Sequence, residues 1–150
     1  MTALEAASAP AVRTLAIQGR SDVVSAGSFA RRMAQKAGFG HRRAREVAIV
    51  VCELASNMVR HAGGGTLHLE AAIDGARPSI AVSARDSGPP IVDLAMAVVD
   101  HCDGGGPIDP ALLLRRGGLG TGLGAVLRLA DLFEYHATLD GKDIRARLLG

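Results

Sequence analysis

Three short stretches carry side chains able to do chemistry. In Glu53-Leu54-Ala55-Ser56-Asn57-Met58-Val59-Arg60-His61, residues Glu53, Asn57 and Arg60 recur at helical spacing, so a helix would set them along one edge. A carboxylate, an amide oxygen and a guanidinium there suit a general base, a magnesium ligand and a phosphate contact. The same residues also suit a solvated helix edge. In Asp86-Ser87-Gly88-Pro89-Pro90, an ionised carboxylate accepts hydrogen bonds, and an exocyclic amine such as adenine's can donate one. Gly88 lets backbone come close to a ligand. A helix N-cap or a plain turn is the alternative. In Gly117-Gly118-Leu119-Gly120-Thr121-Gly122-Leu123-Gly124, alternating glycines opening a helix expose N–H groups at its positive end, an anion site; the alternative is a flexible loop. No strand immediately precedes these glycines, which argues against a Rossmann turn, and no Lys-Ser or Lys-Thr follows as a P-loop requires.

Positioning these groups falls to a regular alternation of elements. Val12 to Gln18 reads as a strand with Leu15 and Ile17 on one face. Ser21 or Asp22 can cap a helix reaching about Lys36, with Val23, Gly27, Ala30, Ala34 and Ala37 on one side. A longer helix spans about Arg42 to Ala62 with the stripe Val47, Val50, Val51, Leu54, Ala55 and Met58, and Gly63 to Gly65 end it. Leu67, Leu69, Ala71 and Ile73 form one alternating strand; Ile80, Val82 and Ala84 form the next, after Asp74-Gly75. Asp86 continues the second parity, so its carboxylate should face the covered side of the sheet. Ile91 to Asp100 is expected to be a short helix. Residues 101–118 are irregular and glycine-rich, as a lid is. A helix over Leu119 to Ala130 follows, then a strand with Phe133, Tyr135, Ala137 and Leu139 on one face, then a strand over about Lys142 to Leu148. This order describes an α+β two-layer sandwich, with helices on one face of a mixed, mostly antiparallel sheet.

Composition narrows the function. The chain has 150 residues, one domain's worth: a flexible start over 1–10 and a single domain over 11–150. Hydrophobic residues at 48% and charged residues at 21% exclude a wholly disordered chain. Aromatic residues are 3% with no Trp, which argues against base-stacking platforms for single-stranded nucleic acid. A net charge of +2 from 17 basic and 15 acidic residues is too balanced for a phosphate-backbone binder. Cys52 and Cys102 show no metal-ligand or pair motif, and Cys52 in an apolar run reads as a buried free thiol. The histidines show no ligand spacing; His61 is either near the site or on the surface. Arg42, Arg43 and Arg45 read as a solvated helix start or as a face for an acidic partner. With no basic leader and no apolar stretch of membrane-spanning length, the expected location is the cytoplasm.

In this order and spacing the three stretches resemble the N, G1 and G2 boxes of the GHKL ATPase/kinase superfamily, over about residues 22 to 135. Within it the likeness is to the small single-domain serine/threonine kinases of bacterial partner-switching modules, the anti-sigma factors and the stressosome switch kinases, and Lys36-Ala37-Gly38-Phe39-Gly40, Glu46 to Asn57 and Gly118 to Leu123 especially resemble the switch kinases. The resemblance implies the Bergerat fold, ATP and Mg2+. It implies Glu53 as general base, Asn57 as magnesium ligand, Arg60 as phosphate contact, and Asp86 with Gly88 at the adenine. Gly118, Gly120, Thr121, Gly122, Leu123 and Gly124 would form the phosphate loop, and residues 101–118 the ATP lid. The implied acceptor is a hydroxyl on a STAS-domain antagonist or scaffold. A sigma factor, a downstream phosphatase and a homodimer remain open as partners; nucleic acid and membrane are not expected. The alternatives are an anti-sigma factor that sequesters its sigma subunit and a nucleotide-binding module without catalysis. The chain departs from the superfamily pattern twice. Pro90 stands where a second G1 glycine is usual, and Lys142 follows Gly141 where Thr is usual.

Overall fold

Apolar residues alternate along the strands and recur every three or four residues along the helices, so each element has one face to bury. A computed structural model describes residues 10–90, 102–103, 106–107 and 122–150. Its strands are β1 (Ala11–Ile17), β2 (Gly65–Asp74), β3 (Arg77–Asp86), β4 (Cys102–Asp103), β5 (Gly106–Pro107), β6 (Leu132–Thr138) and β7 (Gly141–Leu149). Its helices are α1 (Arg20–Ala37), α2 (His41–Ala62) and α3 (Gly122–Leu129). The main sheet has the order β1-β2-β3-β7-β6, and each of its pairings is antiparallel. The short β4–β5 pair stands apart. The helix expected over 91–100, most of the lid, and Gly118, Gly120 and Thr121 lie outside the described residues, as do residues 1–9.

The core lies between the sheet and the helices. Leu67, Leu69, Ile80, Val82, Ala84, Ile144, Ala146 and Leu148 meet Val47, Val50, Val51, Leu54, Ala55 and Met58, all buried. At roughly 1.5–3 kcal/mol for each large aliphatic side chain, this stripe holds α2 on the sheet. Two expectations are corrected at strand ends. Ile73, at the hairpin tip, is 69% exposed, and Leu139 sits in the β6–β7 turn with its side chain in water. The start of α1 also differs. Gly19 is the N-cap, and Asp22 reaches back so that its Oδ2 accepts the N–H groups of Gln18 and Gly19 at 2.9 and 3.2 Å. No helix among the described residues is long and apolar enough to cross a membrane.

Arg43 departs from the solvated reading that fits Arg42 and Arg45. Its Nε donates to Leu149 O at 2.9 Å, and its terminal nitrogens donate to Leu129 O at 2.8 Å, to Glu46 and to Asp131. One guanidinium therefore joins the start of α2 to the end of α3, the end of β7 and the residue before β6.

Candidate functional site

The long apolar stripe of α2 decides the fate of the polar residues beside it. Glu53 is 3% and Asn57 8% exposed, so this edge is enclosed rather than solvated. Arg60, one turn further, is exposed in the last turn, where a cation complements the helix dipole. The structure thus gathers Glu53 and Asn57 and leaves Arg60 at the rim, with His61 exposed beside it. Among the described residues the Asn57 amide has no hydrogen-bonding partner. A buried amide left unsatisfied costs about 1–3 kcal/mol, a cost that a ligand accepting or donating at that point would remove.

The helix α3 packs against α2, with Leu123 and Val126 buried. Gly122 opens the helix at φ +55°, in the left-handed region that glycine tolerates. Leu123 is thus a core residue, Gly124 is buried beside it, and Gly122 is the described end of the expected phosphate loop.

Asp86 faces the covered side, as its parity requires, and is buried. Its neighbour across the sheet was missed as a site residue. Lys142 lies opposite Asp86 in the β3–β7 register, and its Nζ donates to Asp86 Oδ1 at 2.8 Å and to Pro89 O at 3.3 Å. Their side chains are 1% and 2% exposed. The Gly88 N–H donates to the same Oδ1 at 2.9 Å, while Oδ2 has no partner among the described residues. A signal for Lys142 was present: it shares parity with Ile144, Ala146 and Leu148, and a lysine on a buried face needs a partner. Naming that partner required the strand register.

Two glycines are held by packing. A Cβ on Gly88 would lie 2.6 Å from Ala62 Cβ and 2.8 Å from His61 O, so the bareness of Gly88 lets the β3 exit pass under the end of α2. A Cβ on Gly141 would run into the Asp86 carbonyl oxygen, so glycine permits the close approach at which Lys142 meets Asp86. A recess of about 790 Å³ beside Asp86 is lined by Gly63, Gly64, Arg85, Thr138 and Asp140, and by neither Glu53 nor Asn57.

The donor set fits a nucleotide carrying a hard cation. The Asn57 amide oxygen suits magnesium, which keeps several waters and phosphate oxygens and asks few ligands of a protein. Asp86 Oδ2 can accept from a base amine. No cluster of three metal-ligating His, Cys, Asp or Glu side chains occurs among the described residues.

Comparison with known proteins agrees with this arrangement. Over 126 residues the chain is 30% identical to the serine/threonine-protein kinase RsbT of Bacillus subtilis, covering 83% of this chain and 86% of that one. Among solved structures, the RsbU and RsbW domains of a Mycobacterium tuberculosis protein superpose with a TM-score of 0.58 at 14% identity, covering 94% of this chain and 32% of that one. The SiaB–SiaC complex of Pseudomonas aeruginosa matches with a TM-score of 0.53 at 17% identity, covering 93% and 89%. The histidine kinase-like ATPase domain matches residues 20–148, which is nearly the whole chain, and with the two-layer fold and the enclosed edge of α2 it establishes that the chain belongs to this family of ATPase and kinase domains.

Proposed function

We propose that this chain is an ATP- and magnesium-dependent protein serine/threonine kinase of a bacterial partner-switching pathway, acting on a hydroxyl of a STAS-domain regulatory protein. The observation that carries the reading is the enclosed pair on α2: a buried carboxylate one turn from a buried amide that has no partner among the described residues. Likeness to the RsbT kinase supports the reaction class.

In this reading Asn57 and the α3 end would hold the magnesium-bound phosphates, Asp86 Oδ2 would accept from the adenine amine, and Arg60 would offer a positive charge at the rim. Magnesium supplies charge neutralisation at the transferred phosphoryl group. Glu53 takes the proton of the acceptor hydroxyl, and its enclosure keeps water from competing for that position. Most of the acceleration comes from holding donor and acceptor in line.

The test incubates the protein with γ-labelled ATP, magnesium and purified STAS proteins from the same genome. Transfer of label to a STAS serine or threonine is expected. Glu53→Gln keeps the shape and loses the basicity, so it should bind ATP and lose roughly 10²-fold in transfer. A Glu53→Gln variant transferring at the wild-type rate would overturn the base assignment. ATP binding without transfer to any STAS protein would favour the non-catalytic module, and tight co-purification with a sigma factor the sequestering anti-sigma factor.

A further inference from the structure

We propose that Lys142 is a brake on nucleotide affinity, acting through the carboxylate that reads the base. The proposal rests on the nucleotide-site reading above and deepens it. Lys142 touches neither Glu53 nor Asn57 in any described hydrogen bond, so it is a positioning residue, and its target is Asp86.

The argument begins with how complete the pair is. A lysine ammonium almost never lies fully buried without a partner, and this one has Asp86 Oδ1 at 2.8 Å and Pro89 O at 3.3 Å. Oδ1 also receives the Gly88 N–H, so both of its lone-pair directions are used. Asp86 Oδ1 is therefore satisfied and the charge of the carboxylate balanced before any ligand arrives, while Oδ2 has no partner among the described residues. The pairing at Oδ1 contrasts with Asn57, whose amide has no partner among the described residues.

Only Oδ2 remains to accept from a base amine. A hydrogen bond to a lone carboxylate is charge-assisted and about twice as strong as a neutral one. A lysine at salt-bridge distance on the sister oxygen withdraws much of that assistance. Gly141 makes the geometry possible, because any side chain there would push β7 away from the Asp86 carbonyl. The threonine usual in the superfamily at the position of Lys142 carries no charge and would leave the charge of the carboxylate without a cation beside it. Lys142 thus gives the empty protein a charge-balanced Asp86 and gives the nucleotide a weaker acceptor.

Calorimetry with magnesium-ATP on wild type, Lys142→Thr and Lys142→Met tests this, together with thermal melts with and without ATP. Both variants should melt lower than wild type without nucleotide, yet bind ATP about tenfold more tightly. ATP should raise their melting temperatures more than that of wild type. A loss of affinity, or no change, in variants that melt cooperatively overturns the brake and leaves the nucleotide site standing if wild type binds. No binding by any folded form overturns the brake and the nucleotide reading together. A second measurement needs no variant. In ¹⁵N-lysine-labelled wild type, saturating ATP should shift the Lys142 Nζ resonance, and an unmoved resonance at saturation also overturns the brake.

Discussion

Glu53 and Asp86 are both buried carboxylates, and what surrounds each decides what a substitution would report. Removing the Asp86 side chain strands a buried ammonium, so Asp86→Ala should lose about 3–5 kcal/mol of stability. Adding Lys142→Met removes the stranded charge and should recover most of that loss, as urea denaturation of the two variants will show. Lost nucleotide binding in Asp86→Ala alone would therefore mix recognition with folding. Beside Glu53, burial and then the charge of Glu53 push the Cys52 thiol above its ordinary 9.0. The thiolate is the reactive form, so Cys52 should alkylate more slowly than free cysteine at mildly alkaline pH, as peptide mapping of iodoacetamide-treated protein will show. An alkylation rate equal to that of free cysteine would contradict its burial. In the folded chain Cys52 is a half-buried free thiol whose Sγ lies 3.8 Å from Val23 O.

At the level of elements, the helix layer is closed by one tight approach and one long-range tie. A Cβ on Gly27 would meet Cys52 Sγ well inside contact distance, so any larger residue there must displace the Cys52 thiol. Gly27→Ala should cost about 1–3 kcal/mol, the range for overpacking a filled interior, measurable as a shift in urea midpoint without a change in slope. An unchanged midpoint would mean that the helices separate freely. The tie is Arg43, which carries hydrogen bonds to Leu149, Leu129 and Asp131. Arg43→Ala removes a cap from the last turn of α3 and should lower stability by about 2 kcal/mol, given that hydrogen bonds involving charged groups contribute roughly 1.5–3 kcal/mol each. The two helices themselves were legible from periodicity. The tie was not, because its partners lie 106, 86 and 88 residues away, beyond any local pattern.

At the scale of the molecule, the helices cover one face of the sheet, and among the described residues no helix covers the other. On that second face Asp143 is buried beneath Arg85 and Arg145 and accepts from Ser83 Oγ at 2.7 Å. Burial alone would raise its carboxyl. The hydrogen bonds from Ser83 and Arg145, with the charges of Arg145 and Arg85, outweigh burial and hold it below the ordinary 3.8. A depressed carboxyl stabilises the fold above its unfolded value, and the contribution fades as pH falls through the folded value. Asp143→Asn should therefore be less stable than wild type at neutral pH, and the two should converge in acid below 3.8. A stability gap that persists unchanged into that acid range would show that the ionised carboxylate is not its source.

The sequence by itself determined the alternation of elements, the face each buries and the parity of Asp86, because period-two and period-3.6 patterns are local and apolar burial dominates them. It also determined that Glu53 and Asn57 share a helix edge, through their spacing. Whether that edge meets water or protein was left to tertiary packing, which enclosed Glu53 and Asn57 and left Arg60 exposed. Only tertiary structure paired Lys142 with Asp86: the two stand 56 positions apart, and the antiparallel register of β3 and β7 that joins them follows from how the strands stack beneath the helices. Gly88 shows the same division. Its residue type suggested a close approach, and the fold decided that the approaching group is the end of α2.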